Sequence, residues 1–365
     1  MVEWKKLGEV CKVHTGSQLN RSDMLDNGLY PVVNGGRDYS GYTDKYNEDA
    51  NTITISQGGE SAGFVNWINV KFWAGAHCYV VEDTDSFDKR FLYHVLKNKE
   101  REIQISKQGA GIPGLTRDTL YKQVIAIPSL SEQQRIVSIL DTFTSSIANL
   151  KQQIEERRKQ YEYERDRLLD LEGEEGVEMK KLGDVCDTLS GFPFDSSLFK
   201  DNGIQLMRGA NVKRGFFDFN EDLNKYWESS EGLDKYLLEA NDIIISMDGS
   251  LVGRSFCYLK KEYLPLLLVQ RVARIRTSEN FKYIYYNITK SFPDYVDSKK
   301  TAGAIPHISM KDINNFPIPL PSLEEQSRIV SILDTFEASI KNLEEQLALR
   351  EKQYEYYRNK LLTFE

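Results

Sequence analysis

The stretch Pro128-Ser129-Leu130-Ser131-Glu132-Gln133, followed by Arg-Ile-Val-Ser-Ile-Leu-Asp-Thr-Phe at 135–143, recurs in this chain of 365 residues with Glu324 in place of Ser131. Its second copy runs from Pro321 through Phe336, at an offset of 193 residues. Upstream, the segments 4–11 and 179–186 also match, at an offset of 175. The chain therefore contains an internal repeat of one unit, a variable body followed by a nearly constant tail. The second body is about 18 residues longer than the first.

Both tails carry the signs of long helices. A Ser stands three residues before a Glu at Ser129/Glu132 and at Ser322/Glu325, which is the capping-box spacing. Apolar residues then recur at alternating steps of four and three, which predicts a coiled-coil seam between the two helices rather than two unrelated amphipathic surface helices. The predicted seam comprises Ile136, Leu140, Phe143, Ile147, Leu150 and Ile154, and in the second copy Ile329, Leu333, Phe336, Ile340, Leu343 and Leu347.

The bodies combine short β-type runs, such as 52–55 and 243–245, with glycine-containing turns. We therefore expect an α+β chain: two mixed α/β bodies separated by two long helices that form an antiparallel coiled coil, related by a pseudo-twofold internal repeat. The predicted boundaries are 1–127 for the first body, 128–172 for the first helix, 173–178 for a linker, 179–320 for the second body and 321–365 for the second helix.

Composition indicates a folded protein, with 40% hydrophobic and 28% charged residues. No apolar run approaches the roughly 20 residues that span a bilayer, and no signal-peptide pattern follows the start, so a cytoplasmic protein is expected. The four cysteines show no Cys-x-x-Cys spacing and are expected to be reduced. Net charge is −8, but the bodies carry only −1 and +1, so the acidic excess lies on the tails and each body can still carry a basic face.

Three motifs give the chain its resemblance to a known family. These are Trp-Lys-Lys-Leu-Gly-Glu-Val at the start of the first body with its copy in the second, Gly-Ala-Ile-Pro-His-Ile-Ser at 303–309, and Ile-Pro-Leu-Pro-Ser-Leu-Glu-Glu-Gln-Ser-Arg-Ile-Val at 318–330. Together with the ending 354–362, they resemble the specificity subunits of type I restriction-modification systems over essentially the whole chain. The first copy departs from the pattern with Gly-Ile-Pro-Gly-Leu-Thr at 111–116.

The resemblance implies a division of labour. Each body would be a target-recognition domain that reads one half of an interrupted site in double-stranded DNA, and the helices would set the gap between the halves. Two methyltransferase (modification) subunits would dock on the chain, with two restriction/translocase subunits as further possible partners. S-adenosylmethionine, ATP and Mg²⁺ would act on those subunits, so this chain would need no cofactor or metal and would not be an enzyme.

Catalytic motifs are missing or imperfect. The chain has no Pro-Pro pair, which an adenine methyltransferase needs in its base-holding loop, and no Walker-type phosphate loop. The Gly-x-Gly-x-x-Gly match at 109–114 contains a Pro and does not recur in the second copy. The segment 293–299 mimics a nuclease Pro-Asp…Asp-x-Lys signature, but a charged loop is favoured because its acids are too close together.

A second correspondence lies inside the bodies. Ser-Gln-Gly-Gly-Glu-Ser-Ala-Gly-Phe at 56–64 aligns with Ser-Met-Asp-Gly-Ser-Leu-Val-Gly-Arg at 246–254. A glycine-rich loop after a β-run permits close backbone approach to a partner, although an ordinary tight turn is the alternative.

Side chains able to read base edges are expected in and near these loops, since Arg suits guanine, Asn and Gln suit adenine, and carboxylates suit cytosine. The predicted base-reading residues are Asn34, Arg37, Gln57 and Glu60 in the first body and Arg208, Asn211, Asp248 and Arg254 in the second. The predicted phosphate contacts are Lys107, Arg117, Lys213, Arg214, Lys299 and Lys300. Each could instead be a solvated surface charge. The alternation of Arg271, Arg274 and Arg276 is compatible with a DNA-facing strand or with internal ion pairs.

One alternative function stays open at this level. The chain could be a coiled-coil scaffold or regulator that brings proteins together without reading DNA. Two divergent bodies on nearly identical tails argue against it, because a spacer would not need paired recognition domains.

Overall fold

The computed structural model describes residues 2–82, 87–106, 114–299 and 306–364. The chain divides into two compact units, one made of Met1–Gln153 with Leu343–Glu365 and the other of Ile154–Asn342. Each unit therefore contains a body together with a segment of each long helix.

The first unit begins with a body of short strands and helices. Its elements are β1 (Glu3–Lys6), α1 (Leu7–Val10), β2 (Val13–Thr15), β3 (Tyr30–Val33), β4 (Gly41–Thr43), β5 (Thr52–Ser56), β6 (Val65–Ile68), β7 (Trp73–Ala74), β8 (Cys78–Val81), α2 (Lys89–Asn98), α3 (Glu100–Ile105), α4 (Arg117–Tyr121) and β9 (Val124–Ile127). The first long helix, α5 (Leu130–Leu168), follows and continues into the second unit.

The second unit repeats this series. It contains β10 (Glu178–Lys181), α6 (Leu182–Val185), β11 (Cys186–Ser190), β12 (Ile204–Met207), β13 (Tyr226–Trp227), β14 (Ile243–Ser246), β15 (Phe256–Tyr258), β16 (Leu266–Leu268), β17 (Val272–Thr277), α7 (Phe281–Lys299), α8 (Met310–Asn314), β18 (Pro317–Leu320) and the start of α9 (Leu323–Leu362).

The sheets of the two bodies have matching strand orders. A four-stranded antiparallel sheet runs β2-β8-β5-β6 in the first body and β11-β17-β14-β15 in the second. A three-stranded sheet with one parallel pair runs β4-β3-β7 and β13-β12-β16. A two-stranded ribbon closes each body, β1 with β9 and β10 with β18, and joins the start of the body to the strand before its tail.

The long helices begin as the spacing predicts, but with half of the capping box. The backbone N–H groups of Glu132 and Glu325 donate to the side-chain oxygens of Ser129 and Ser322, at 3.4 and 3.3 Å. Their carboxylates do not return to the cap. Each pairs instead with the arginine three residues later, a favourable spacing on a helix surface.

Within each unit, a segment of α5 packs antiparallel against a segment of α9. In the first unit Phe143 stacks on Tyr357 at 5.3 Å between ring centroids, and Lys151 pairs with Glu351 at 3.0 Å. Residue numbers thus increase along one helix where they decrease along the other. In the second unit the Tyr161 hydroxyl donates to Glu337 at 3.2 Å. The predicted seam residues are all buried or half-buried, whereas Leu349, outside the seam, is 58% exposed.

Each unit has its own apolar core. In the first, strands β5 and β8 and helix α2 pack against the start of α5 through Ile136 and Leu140. In the second, β14, β17 and α7 pack in the same way against Ile329 and Leu333. The four cysteines are buried and free, and burial raises the pKa of Cys11 and Cys78 to about 12.

This architecture confirms the predicted fold class, an α+β chain of two sheet-rich bodies and two long, mutually packed helices. The predicted domain boundaries remain predictions, because the compact units divide both long helices between them. Among the described residues, no helix is long and apolar enough to cross a membrane.

Candidate nucleic-acid interface

The two glycine-rich loops have nearly the same conformation. Each follows one of the two inner strands of a four-stranded sheet, β5 or β14. Each loop turns through two glycines with positive φ, Gly59 and Gly63 at +75° and +87° and Gly249 and Gly253 at +103° and +81°. A side chain at such a position would be strained, so these loops require glycine. Because both bodies have this backbone geometry, it favours a loop with a common role over an ordinary tight turn.

Three separate segments meet at the base of each loop. In the second body the backbone N–H of Met247 donates to the carbonyl of Arg271 at 3.0 Å, and the N–H of Ile308 donates to the carbonyl of Met247 at 3.0 Å. In the first body Gln57 takes the place of Met247, with partners His77 and Leu115 at 3.0 and 2.7 Å. The Pro-His-Ile motif and the glycine loop are thus neighbours, and the β16–β17 turn completes the group.

In the second body these segments border an open cleft of about 580 Å³. Its polar lining brings together two predicted residues, Arg208 and Asp248, with Gln270 and Arg271 from the β16–β17 turn. The rest of the lining is Phe194, Ser196, Phe199, Gly209, Ala210, Ser246, Gly249 and Val269. The sequence prediction missed Gln270 and left Arg271 undecided. The signal that marks them is a polar pair between two apolar runs, 266–269 and 272–273.

The polar groups in this cleft are held in place. Arg208 is half-buried, donates to the Leu223 carbonyl at 3.3 Å, and its guanidinium carbon lies 5.6 Å from the centre of the Phe199 ring. Arg271 donates to the Asp248 carboxylate at 2.8 Å while its side chain stays 71% exposed. Such groups can offer hydrogen bonds from a fixed position to a ligand that enters the cleft.

The other two arginines of the alternating run have internal roles. Arg274 is 4% exposed and pairs with Asp187 on the adjacent strand. Arg276 forms two hydrogen bonds of 2.7 Å with the buried carboxylate of Asp242 and a third, of 2.6 Å, with Glu239. The ion-pair interpretation therefore holds for these two residues.

Asn211 also has an internal role, which corrects its prediction as a base-reading residue. It is fully buried, its side-chain oxygen accepts from the backbone N–H of Arg208 at 3.2 Å, and its amide nitrogen donates to the Asp218 carbonyl at 2.9 Å. Both ends of the amide are thus used to close a turn, so the side chain has no exposed polar atom for a base.

Arg254 stands at the end of the second glycine loop. Its guanidinium forms two hydrogen bonds with Asp297, of 3.1 and 2.7 Å. Asp297 belongs to the nuclease-like segment 293–299, which forms the last turns of α7 and not the predicted loop. Lys299 is exposed at the end of this helix, and its ammonium lies 6.0 Å from the Tyr295 ring.

Two further predicted residues of the second body, Lys213 and Arg214, lie on the turn after Asn211. Lys213 is half-buried, with its ammonium 3.9 Å from Asp218, and Arg214 is exposed. Lys300 and, in the first body, Lys107 lie outside the described residues, as do positions 109–113 of the Gly-x-Gly-x-x-Gly match.

The first body places its predicted residues around the equivalent loop. Asn34 accepts from the backbone N–H of His77 at 3.3 Å, and Gln57 is half-buried at the loop base. Glu60 is exposed at the loop tip. Arg37 is exposed, with its guanidinium carbon 5.8 Å from the Phe64 ring at the end of the loop. These side chains therefore share one region of the body.

Arg117 lies a short distance away, at the first position of α4. Its guanidinium donates to the hydroxyl of Thr15 at 3.3 Å, and the side chain is exposed. A cation in this position is available to a phosphate.

The described residues contain no group of three or more His, Cys, Asp or Glu side chains that could hold a metal ion. What both loop regions do offer is exposed hydrogen-bonding groups on a fixed backbone. Guanidinium, amide and carboxylate groups of this kind are the ones that distinguish base edges in DNA.

Comparison with known proteins identifies the family. The sequence matches the family described as type I restriction modification DNA specificity domain over residues 1–157 and again over 174–349. The EcoR124I/EcoR124II specificity subunit of Escherichia coli is 30% identical over 391 residues, which cover 100% of this chain and 94% of that protein. A putative type I restriction enzyme specificity subunit of Haemophilus influenzae is 29% identical, with 100% and 96% covered.

Solved structures show the same fold. The S subunit of a type I restriction-modification system from M. genitalium matches with a TM-score of 0.70 at 19% identity, over 100% of this chain and 97% of that one. A chain from a structure on complex assembly and conformational transition of the type I system matches with a TM-score of 0.58 at 19% identity, over 99% and 97%. The chain therefore belongs to the type I restriction modification DNA specificity domain family and is a specificity subunit, the non-catalytic part of a type I enzyme that selects DNA.

Proposed function

We propose that each body reads one half of a bipartite site in double-stranded DNA, and that the paired helices fix the number of unread base pairs between the halves. Two methyltransferase subunits dock on the repeated tails, and two restriction subunits join them in a cleaving complex. The chain works in the cytoplasm. S-adenosylmethionine, ATP and Mg²⁺ belong to the partner subunits.

One observation carries this proposal. Both bodies place a glycine loop, a strand turn and the segment before the tail at equivalent positions, yet the side chains there differ: Gly58 and His77 in the first body stand where Asp248 and Arg271 stand in the second. A common backbone with different polar groups is expected of two domains that read different sequences, because base-edge contacts carry specificity.

The proposed contacts fall into two classes. Base edges are read from the loop regions, by Asn34, Arg37, Gln57 and Glu60 in the first body and by Arg208, Asp248 and Arg254 in the second. Arg117, Lys213, Arg214 and Lys299 contact phosphates, because these cations lie outside the loops, and Lys107 and Lys300 are proposed as further phosphate contacts from their charge alone. Asn211 is left out of this set for the reason given above.

The test uses the chain together with its modification subunit in a host that lacks both. Methylome sequencing should show one bipartite adenine-methylated motif that disappears when either gene is omitted. The purified chain, mixed with S-adenosylmethionine and DNA, should transfer no methyl groups. Methyl transfer by the chain alone would overturn the assignment of catalysis to the partners.

A body exchange tests the assignment of bodies to half-sites. Replacing residues 179–320 with the corresponding body of a relative should change one half of the methylated motif and leave the other half unchanged. The reciprocal exchange of 1–127 is the matched control and should change the opposite half. A change in both halves from a single exchange would contradict one body per half-site.

A further inference from the structure

The turn between β16 and β17 has an unusual backbone. Arg271 has φ of +65°, and among the described residues the only other non-glycine positions with positive φ are Asn51 and Asn241. Asparagine tolerates this conformation well, whereas a long side chain rarely adopts it. Strained positions of this kind concentrate where a side chain must be aimed at a ligand.

The backbone around Arg271 is firmly held. Its carbonyl accepts from Met247 at 3.0 Å, and the preceding N–H of Gln270 donates to the Phe192 carbonyl at 2.9 Å. The turn is thus tied both to the glycine loop and to the strand region that follows β11. These bonds keep the Arg271 side chain at the edge of the cleft.

The Arg271 side chain is oriented by Asp248 but remains largely exposed. One guanidinium nitrogen donates to Asp248 at 2.8 Å, and the side chain remains 71% exposed, whereas that of Asp248 is only 25% exposed. A guanidinium has five N–H donors, so a single bond to Asp248 leaves donors for a ligand. Because Asp248 limits the rotamers of Arg271, less conformational entropy is lost when the guanidinium binds.

We infer that Arg271, positioned by Asp248, reads a guanine in the half-site bound by the second body. This inference rests on the proposed function and adds a base identity to it. Two parallel N–H groups of a guanidinium match the O6 and N7 acceptors of guanine in the major groove, which no other base presents together. Asp248 is a positioning residue in this inference, since its carboxylate acts through the arginine, and this role replaces the direct base contact proposed for it above.

The first body supplies the contrast. His77 occupies the position of Arg271, its φ is not positive, and Gly58 stands at the position of Asp248. The arginine–carboxylate pair is therefore specific to the second cleft. The guanine is expected in only one of the two half-sites at the position that this turn contacts.

The experiment compares methylomes of cells that produce the modification subunit with wild-type chain, Arg271→Gly, Asp248→Ala, Asp248→Glu or the double variant Arg271→Gly/Asp248→Ala. Glycine suits a φ of +65°, so Arg271→Gly removes the guanidinium while relieving the backbone, and a thermal melt checks that the chain stays folded. Lys261→Gly removes an exposed charge elsewhere on the same body and serves as the control.

Wild-type chain should give a guanine at one position of one half-site. Arg271→Gly should make that position degenerate, with a roughly 5- to 150-fold loss of preference for guanine, and leave every other position unchanged. Asp248→Ala should weaken the same preference, Asp248→Glu should restore part of it, and the double variant should lose no more than Arg271→Gly. Lys261→Gly should give the wild-type motif.

Two results would overturn the inference alone. One is an unchanged motif in folded Arg271→Gly. The other is methylation that weakens evenly, with no position becoming degenerate, which would make Arg271 a phosphate contact. Absence of any motif with wild-type chain would overturn the proposed function, and the inference with it.

Discussion

The Nε2 atom of His94 lies 2.8 Å from Oδ1 of Asp141, a contact that joins α2 of the first body to the long helix α5. His94 is completely buried, and Arg90, one turn earlier, donates to the same carboxylate oxygen at 2.8 Å. We call this contact between a body helix and a long helix the joint. The second unit has an equivalent joint made of other side chains. There Asp334 of α9 accepts from the Tyr286 hydroxyl at 2.7 Å and from the Lys282 ammonium at 2.6 Å.

The joint predicts a difference in acid sensitivity between the units. Burial lowers the pKa of His94 below its usual value, although Asp141 opposes this. His94 therefore binds a proton more readily in the unfolded chain than in the folded one. The free energy of unfolding should fall as pH drops below about 6.5, the usual pKa of histidine. This loss of stability is complete below the lowered pKa that His94 has in the folded chain. Hydrogen bonds from His94 and Arg90 outweigh burial and lower the pKa of Asp141, so its contribution is lost only at more acidic pH.

His94→Tyr should therefore reduce the loss of stability between pH 7 and pH 5, because it copies the second joint. The reciprocal variant, Tyr286→His, should add acid sensitivity to the second unit. Urea unfolding midpoints at both pH values measure the effect. Wild-type pH dependence in both variants would show that the joint does not titrate in this range.

A buried glutamine gives a prediction of stability. Gln133 accepts from the backbone N–H of Asp88 at 2.9 Å and donates to the Pro128 carbonyl at 2.9 Å. Gln133→Leu leaves both groups without these partners and should cost about 1–3 kcal/mol of unfolding free energy. The neighbouring Gln134 is exposed, so Gln134→Leu should change stability by less than about 0.5 kcal/mol. Equal shifts in the urea midpoints of the two variants would contradict the role of the buried amide.

The salt dependence of DNA binding tests a phosphate contact. If Arg117 neutralises one phosphate, Arg117→Gln should reduce the slope of log K against log salt concentration by about 0.9 and weaken binding to all sequences alike. The measurement uses the assembled complex with its modification subunits. Arg135→Gln is the control, because that guanidinium pairs with Glu132 on the long helix. An unchanged slope for Arg117→Gln would remove this residue from the interface.

The proposed spacer role of the helices can be tested by insertion. One heptad placed after Gln153 and one after Asn342 keeps both seams in register and lengthens each helix by about 10.5 Å at 1.5 Å per residue. This corresponds to about three base pairs at 3.4 Å each, with nearly a third of a turn of the duplex. The methylome should show a longer gap between unchanged half-sites or no methylation. Full methylation of the original motif would refute the spacer role.

The repeat made the fold predictable from sequence alone, because an apolar seam with a period of 3.5 residues and two copies of one helix cap specify long paired helices.

The residues of the cleft could be predicted only in part. Arg271, Arg274 and Arg276 alternate alike in sequence, and what separates their roles is the position of Asp187, Asp242 and Asp248, brought close by strand pairing. Asn211 shows the same limit, since only the folded turn reveals that its amide is buried and bonded to the backbone at both ends.

The joint between body and tail has a consequence for how such chains can be rearranged. Each tail presents the same two groups to its body, an amide at Gln133 or Gln326 and a carboxylate at Asp141 or Asp334. The backbone at the start of a body helix donates to the amide, and two side chains on that helix donate to the carboxylate. These two donor side chains differ between the bodies. A foreign body that brings such a helix, its two donors and the apolar packing against the start of the tail meets the same contacts on an existing tail. Under the proposed assignment of bodies to half-sites, joining genes within the constant segments would therefore change specificity without redesign of the contacts between body and tail.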